Sequence, residues 1–283
     1  DDHNKNFSFL MDESGQWQLS PAYDMIWSLA ASSVAEDGAG HAAVLLIVDI
    51  TEREQAEQQR QEFTANVSHE LKTPLTSIMG YAEIIEAGIA KPTDVVPFAG
   101  KIRTEAQRLL SLIEDIIRLS QLDAGGEEIP FEPIELQPLC CTVRSRLQSK
   151  ADRLGLKIEC TGENATVSGQ RRTLEQMVFN LADNALAYNR PNGSVTIETG
   201  TDSDGAPFVR VSDTGIGIAP ADQKRVFERF YRVDKSHSKM TGGTGLGLSI
   251  VKHGAALHGA ALTLDSTLNV GTRITLTFPK NRK

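Results

Sequence analysis

At 283 residues, 40% hydrophobic and 23% charged, the chain has the balance of an ordinary folded protein, which excludes a disordered or fibrous one. Its net charge of −8 excludes broad attraction to nucleic acid or to an anionic membrane surface, while leaving room for a local basic pocket. The three cysteines, Cys140, Cys141 and Cys160, have no metal-ligand spacing, and adjacent cysteines rarely bridge each other, so a reducing cytoplasmic setting is expected.

The longest apolar run, 42–48, is too short to cross a bilayer, so no membrane contact is encoded in this chain. The absence of an initiating methionine and of a signal peptide makes it read as an internal segment. Residues 1–24 read as two short extended pieces around an E-S-G turn, followed by strands at 26–34 and 41–50. At T-E-R-E, Thr51 is placed to cap a helix, with Glu54 at the capping-box position. From there to about residue 88, Phe63, Val67, Leu71, Leu75, Ile78, Ala82 and Ile85 form an apolar stripe of helical period. A turn zone, A-G-I-A-K-P-T-D, separates it from a second helix reaching about residue 123. There Ile102, Ala106, Leu109, Ile113 and Ile116 make a heptad seam. Two helices cannot bury two such stripes alone, and a dimer of hairpins forming a four-helix bundle would.

Beyond A-G-G the texture alternates. Strands are expected at 134–136, 156–161, 166–168, 194–199, 208–212, 261–266 and 272–278, and helices at 138–154, 172–188, 223–230 and 248–258. Strands that follow one another near both ends predict an α/β sandwich: a mixed sheet with helices on one face.

The sharpest local feature is S-H-E-L-K-T-P-L in the first long helix. With Val67 and Leu71 facing inward, His69 lies two residues from each, about 200° around the wheel, and so faces solvent. A lone helical histidine is usually just surface polarity. Here Glu70 follows directly and Thr73 lies one turn on; a carboxylate beside an imidazole can hold the Nδ1 proton and sharpen Nε2 as a nucleophile. Pro74 removes a backbone donor just past the histidine and predicts a bend there.

Four further elements follow in order. N-L-A-D-N-A-L-A-Y sets Asn180 and Asn184 one turn apart, neutral oxygens suited to Mg²⁺ that keeps water and phosphate ligands. D-T-G-I-G-I ends a strand at Asp213, whose carboxylate could accept from an adenine amino group. F-E-R-F-Y-R brings Arg229 and Arg232, and G-G-T-G-L-G-L-S precedes a helix, where backbone amides make an anion site. Each is weak alone: paired asparagines are common on helices, D-x-G-x-G is usually a tight turn, and a glycine-rich loop is often a connector. Their order behind a histidine hairpin is not readily explained piecemeal.

Over roughly residues 51–283 the chain resembles the sensor histidine kinases of two-component systems, closest to their phosphate-sensing subgroup. F-T-A-N-V-S-H-E-L-K-T-P-L-T looks like the H box, and the later elements look like the N, G1, F and G2 boxes of the GHKL-type ATP-binding domain. The resemblance implies that His69 is the phosphoacceptor, Glu70 its general base, and Thr73 the residue positioning water for dephosphorylation of a partner. It implies Asn184 as the Mg²⁺ ligand, Asn180 beside the phosphates, Tyr188 along the adenine and Asp213 reading it. Gly215, Gly217, Gly243, Thr244, Gly245, Leu246 and Gly247 would shape the ATP pocket and its lid. Many relatives carry a phosphate-binding lysine where this chain has Ala187, which leaves Arg190 and Arg232 as substitutes.

The implied protein is a homodimer that uses Mg·ATP to phosphorylate His69 and passes the phosphoryl group to a response-regulator receiver domain. The alternatives are a GHKL ATPase without phosphotransfer, or a degenerate kinase acting as a phosphatase or dimeric scaffold. Residues 26–50 resemble the last strands of a PAS domain, too little for a ligand pocket. Residues 1–25 resemble HipA-type serine/threonine kinases, with Asp1, Asn6 and Asp24 at that family's catalytic and metal positions, and read as a remnant without its scaffold. The expected organisation is therefore 1–25 HipA-like, 26–50 PAS-like, 51–126 dimerisation and phosphotransfer, and 127–283 ATP-binding.

Overall fold

The computed structural model describes residues 8–11, 17–20, 27–31, 45–49, 51–123, 130–233 and 243–280, with side chains from residue 61 onward. Asp1, Asn6, Asp24 and the capping pair Thr51 and Glu54 lie outside what is described at side-chain level. Two compact units are present, Asp1–Ser68 and His69–Lys283.

The first unit holds two separate antiparallel pairs. Strands β1 (Ser8–Met11) and β2 (Trp17–Ser20) pair with Met11 opposite Trp17, as the two extended pieces around E-S-G predict. Strands β3 (Trp27–Ala31) and β4 (Leu45–Asp49) pair with Trp27 opposite Asp49. Helix α1 (Thr51–Glu86) begins in this unit and continues into the second, running through Pro74, whose ring is buried.

In the second unit α1 is followed by α2 (Pro92–Asp123). Tyr81 meets Phe98 with ring centroids 5.3 Å apart near the turn, and Glu70 meets Arg108 at 3.5 Å further from it, so the two helices run antiparallel. His69 is exposed while Val67 and Leu71 are half-buried, in the sense the helical wheel predicts. The heptad seam of α2 omits its most buried side chains: Leu112 and Leu119 are 3% and 0% exposed, because α2 has a second apolar face that packs on the last helix.

The ATPase-like half begins with β5 (Glu132–Glu135) and α3 (Leu136–Leu154), then β6 (Lys157–Gly162), β7 (Thr166–Gly169) and α4 (Arg171–Ala187). It continues with β8 (Ser194–Thr201), β9 (Pro207–Asp213), α5 (Gly247–His258), β10 (Ala261–Thr267) and β11 (Gly271–Thr277). Five strands form one mixed sheet in the order β10-β11-β9-β8-β6, where only β6 and β8 are parallel; β5 and β7 form a small sheet of their own. Alternation along the strands sends Val195, Ile197, Val209, Val211, Ile274 and Leu276 to the face covered by α3, α4 and α5. Each such side chain removed from water stabilises by about 1.5–3 kcal/mol. The opposite face is polar: Arg210 bonds Glu198 at 3.0 Å and Thr275 at 3.3 Å.

The helix expected at 223–230 is not formed. Residues 220–230 are successive turns, in which Arg225, Glu228 and Tyr231 donate to carbonyls three residues back, with a single four-residue bond from Val226 to Asp222. The segment still buries Val226, which is the apolar signal that a helical spacing misread. Its end is set by Phe230, whose φ of 61° stops any helix and aims its N–H at the Gly245 carbonyl, 2.9 Å away.

Candidate functional site

A cavity of about 340 Å³ opens between α4, the end of β9 and the segment leading into α5. That is within the range of small-ligand sites. Of the residues expected to bind ATP, it brings together Asn180, Asn184, Tyr188, Asp213, Gly217, Arg232, Gly243, Thr244, Gly245 and Gly247. Gly215 and Leu246 support it from behind.

Helix α4 supplies one wall. Asn184 is half-buried on the cavity, and among the described residues its side chain makes no hydrogen bond to protein, so its amide oxygen is available to a ligand. Asn180, one turn earlier, is engaged: Oδ1 accepts from Gln176 at 2.8 Å, and Nδ2 donates to the Gly247 carbonyl at 3.1 Å. Asn180 thus ties α4 to the first turn of α5, where the free backbone amides of a helix start suit an anion. Among the described residues no cluster of three or more His, Cys, Asp or Glu side chains could cage a metal. The Asn184 oxygen alone fits Mg²⁺, which keeps water and phosphate oxygens for its remaining positions.

Asp213 forms the floor. Its Oδ1 accepts from the Gly215 N–H at 2.7 Å and from the Thr272 N–H at 3.3 Å. Burial pushes its carboxyl above the ordinary value, against the lowering effect of those two N–H groups. Gly215 leaves no room for a side chain, since a Cβ would lie 2.4 Å from the Tyr188 carbonyl oxygen and 2.8 Å from Asp213 Oδ1. Gly245 is required by its φ of +75° and by Phe230, whose Cα a Cβ would meet at 3.0 Å. Gly243 and Gly247 differ: an added Cβ would find its nearest neighbours at 3.9 Å and 3.7 Å. Leu246 is fully buried and caps α5, so it anchors the lid segment and does not line the cavity.

Of the two candidate cations, Arg232 lines the cavity and Arg190 instead reaches Asn269 at 3.3 Å. Arg232 also bonds the Gly243 carbonyl and, at 3.3 Å, the Glu70 carboxylate, which Arg108 approaches at 3.5 Å. The turn of α1 that carries His69 is therefore linked to the cavity wall through Glu70. Thr73 lies on the same turn, and its hydroxyl donates to the His69 carbonyl at 3.1 Å.

Several cavity residues carry no signal in the sequence that marks them as such, and two of them come from outside the ATPase-like half. Ser111 and Asp115 reach it from α2, and the Thr244 hydroxyl donates to Asp115 Oδ2 at 2.8 Å. Their spacing of four residues was visible as a polar interruption in an apolar helix. Nothing local said what that face would meet.

Residues 169–282 match the family described as "Histidine kinase-, DNA gyrase B-, and HSP90-like ATPase", and residues 59–125 match the His Kinase A (phospho-acceptor) domain. Residues 1–88 match the HipA-like C-terminal domain, overlapping the second of these. The chain is 40% identical to the "Sensor-like histidine kinase SenX3" of Mycolicibacterium smegmatis over 84% of its own length and 62% of that protein's. It is 34% identical to the "Sensor histidine kinase WalK" of Bacillus subtilis over 86% of its own length and 40% of that protein's. It thus spans less than two thirds of these relatives. The fold is shared with the Acinetobacter baumannii histidine kinase AdeS at a TM-score of 0.63 and 24% identity, covering 76% of this chain and 98% of that one. No helix among the described residues is long and apolar enough to cross a membrane. A histidine-bearing helical hairpin, a nucleotide-sized cavity beside it and these matches place the chain in the family of two-component sensor histidine kinases.

Proposed function

We propose that the chain is the catalytic part of a sensor histidine kinase that phosphorylates its own His69 from Mg·ATP. The observation that carries this is the link from the cavity through Arg232 to Glu70, the neighbour of an exposed histidine. In the proposed reaction, neutral His69 attacks the γ-phosphorus through Nε2. The N–P bond forms as the bond to the β,γ-bridging oxygen breaks, ADP leaves, and Glu70 takes the Nδ1 proton. Glu70 must first exchange its arginine partners for the imidazole. Arg232, once released, has the reach along the cavity wall to meet phosphate charge, the part that a lysine in place of Ala187 plays in many relatives. Asn184 presents its oxygen to the metal, Asp213 offers Oδ2 to the adenine amino group, and the amides at the start of α5 face the phosphates. Mg²⁺, when bound, would neutralise charge on the transferring group.

The second half of the proposal is transfer from His69 to an aspartate of a response-regulator receiver domain, within a homodimer acting in the cytoplasm. Leu75 and Met79 on α1 and Leu110, Ile113 and Ile117 on α2 stand 40–58% exposed, an apolar surface that a second hairpin would bury. Thr73 keeps its hydroxyl lone pairs for a water during dephosphorylation of the regulator.

Incubation with γ-labelled ATP tests the reading. Label should be acid-labile and base-stable, and His69→Gln should abolish it while nucleotide binding persists. Hydrolysis of ATP with no labelled protein would instead identify an ATPase that does not transfer. Binding without either activity would identify a scaffold.

A further inference from the structure

Cys141 lies on α3 and Cys160 on β6, nineteen residues apart in sequence, and their sulfurs stand 3.0 Å from each other. Cys141 is exposed and Cys160 half-buried, whereas Cys140 is fully buried in the core. Neither Cys141 nor Cys160 lines the nucleotide cavity. We propose that Cys141 and Cys160 are a thiol pair that a peroxide-class oxidant converts into a reversible disulfide joining α3 to the edge of the sheet.

The chemistry balances in two steps. The exposed Cys141 thiolate attacks hydrogen peroxide, giving the sulfenic acid and hydroxide, which takes up the proton the thiol released and leaves as one water. Cys160 then attacks that sulfur, the S–S bond forms, and a second water leaves. The order follows from the surroundings. Burial, together with the adjoining Cys141, pushes the Cys160 thiol up to about 12, so oxidation enters at Cys141. Arg144, whose Nε donates to the Ile158 carbonyl at 3.3 Å, lies close enough to Cys160 to pull its thiol back down in part and to favour the thiolate that must resolve the intermediate. Cys140 does not compete, since burial raises its thiol and points it into the core. The bond would clip the chain across α3 and β6. Helix α3 in turn carries α4 through the pairs Arg146–Glu175 and Lys150–Asp183, and Asp183 borders the cavity.

The test treats the full chain with hydrogen peroxide at pH 8, blocks remaining thiols with N-ethylmaleimide, and analyses a non-reducing tryptic digest by mass spectrometry. The expected product is peptide 119–144, carrying one N-ethylmaleimide on Cys140, linked to peptide 158–171, two hydrogens lighter than the sum of those two and separated by dithiothreitol. Because 119–144 holds both Cys140 and Cys141, Cys140→Ala should keep the link, while Cys141→Ser and Cys160→Ser should each abolish it. The oxidised chain should unfold at least about 5 °C higher than the reduced one, as expected for closing a loop of this length. A link that survives in Cys141→Ser, a link between chains, or full maleimide labelling after peroxide treatment would overturn the proposal.

Discussion

Asp213 ends β9 with one carboxylate oxygen already committed to the N–H groups of Gly215 and Thr272, and burial still holds its carboxyl above the ordinary value. A carboxyl raised in the folded state adds stability only below its unfolded value, and loses that contribution as pH rises through the folded one. At neutral pH the ionised side chain is therefore a cost to the fold, one that the proposed bond from a ligand to Oδ2 would offset. Asp213→Asn keeps an oxygen for both N–H groups and removes the charge. Its thermal midpoint at pH 7.5 should rise by about 1–3 °C, while ATP affinity falls about tenfold or more, as expected for losing a hydrogen bond to a charged group. Calorimetry and isothermal titration check the two halves; a lower midpoint with unchanged affinity would remove Asp213 from the adenine site. That Asp213 and Asn184 line the cavity is legible because each sits in a short stretch whose neighbours border it too, a tight turn after one and a helix face around the other. The place of Asp115 and Ser111 there is not, since their contribution arises only where α2 meets the lid segment, and no local pattern encodes that meeting. The choice between Arg190 and Arg232 was equally a matter of tertiary reach.

At the scale of elements, periodicity located the helices well and their partners poorly. The seam through Ile102, Ala106, Leu109, Ile113 and Ile116 suits hairpin and dimer packing, but it does not announce the second apolar face of α2, where Leu112 and Leu119 disappear against α5. Polar groups finish that contact. Asp123 accepts from Arg229 at 2.8 Å through each oxygen and lies 3.1 Å from His253 Nδ1, while Arg229 also reaches His253 Nε2 at 3.3 Å. His253 is held below its ordinary value, first by burial, with Arg229 and Lys252 adding to it and Asp123 opposing. For a histidine lowered in this way, stability is present above the unfolded value of 6.5 and is lost as pH falls through the folded one. The thermal midpoint should therefore drop between pH 7 and 5, and His253→Gln should make that drop smaller by about 1–2 °C. Parallel midpoint-against-pH curves for the two proteins would show that His253 titrates as it does in the unfolded chain. The 223–230 segment shows the same limit of periodicity: Val226 is buried as an apolar period demands, but Phe230 is bound to the Gly245 carbonyl and the backbone follows the turn.

On the scale of the whole molecule, every described residue that lines the cavity falls between Ser111 and Ile274, and the turn proposed to accept phosphate begins at His69. The 1–88 match to the HipA-like C-terminal domain thus covers a stretch that contributes to the proposed chemistry only through its last part, the α1 segment also matched as a phospho-acceptor helix. Metal ligands work when a rigid surrounding shell holds them in geometry, and the pairs β1–β2 and β3–β4 are each only two-stranded. A protein-kinase-like site further needs a lobe that clamps nucleotide, and the described residues that line the nucleotide-sized cavity all come later in the chain. A chain beginning at Thr51 should accordingly keep ATP affinity within about twofold and still acquire acid-labile label on His69, a difference of under about 0.5 kcal/mol in binding. The converse experiment offers a generic protein substrate to the full-length chain carrying His69→Gln. With the histidine removed, only a second kinase could leave acid-stable phosphoserine, and the expected result is none. Acid-stable label that disappears with Asp1→Asn would mean that the first residues form a working site of their own.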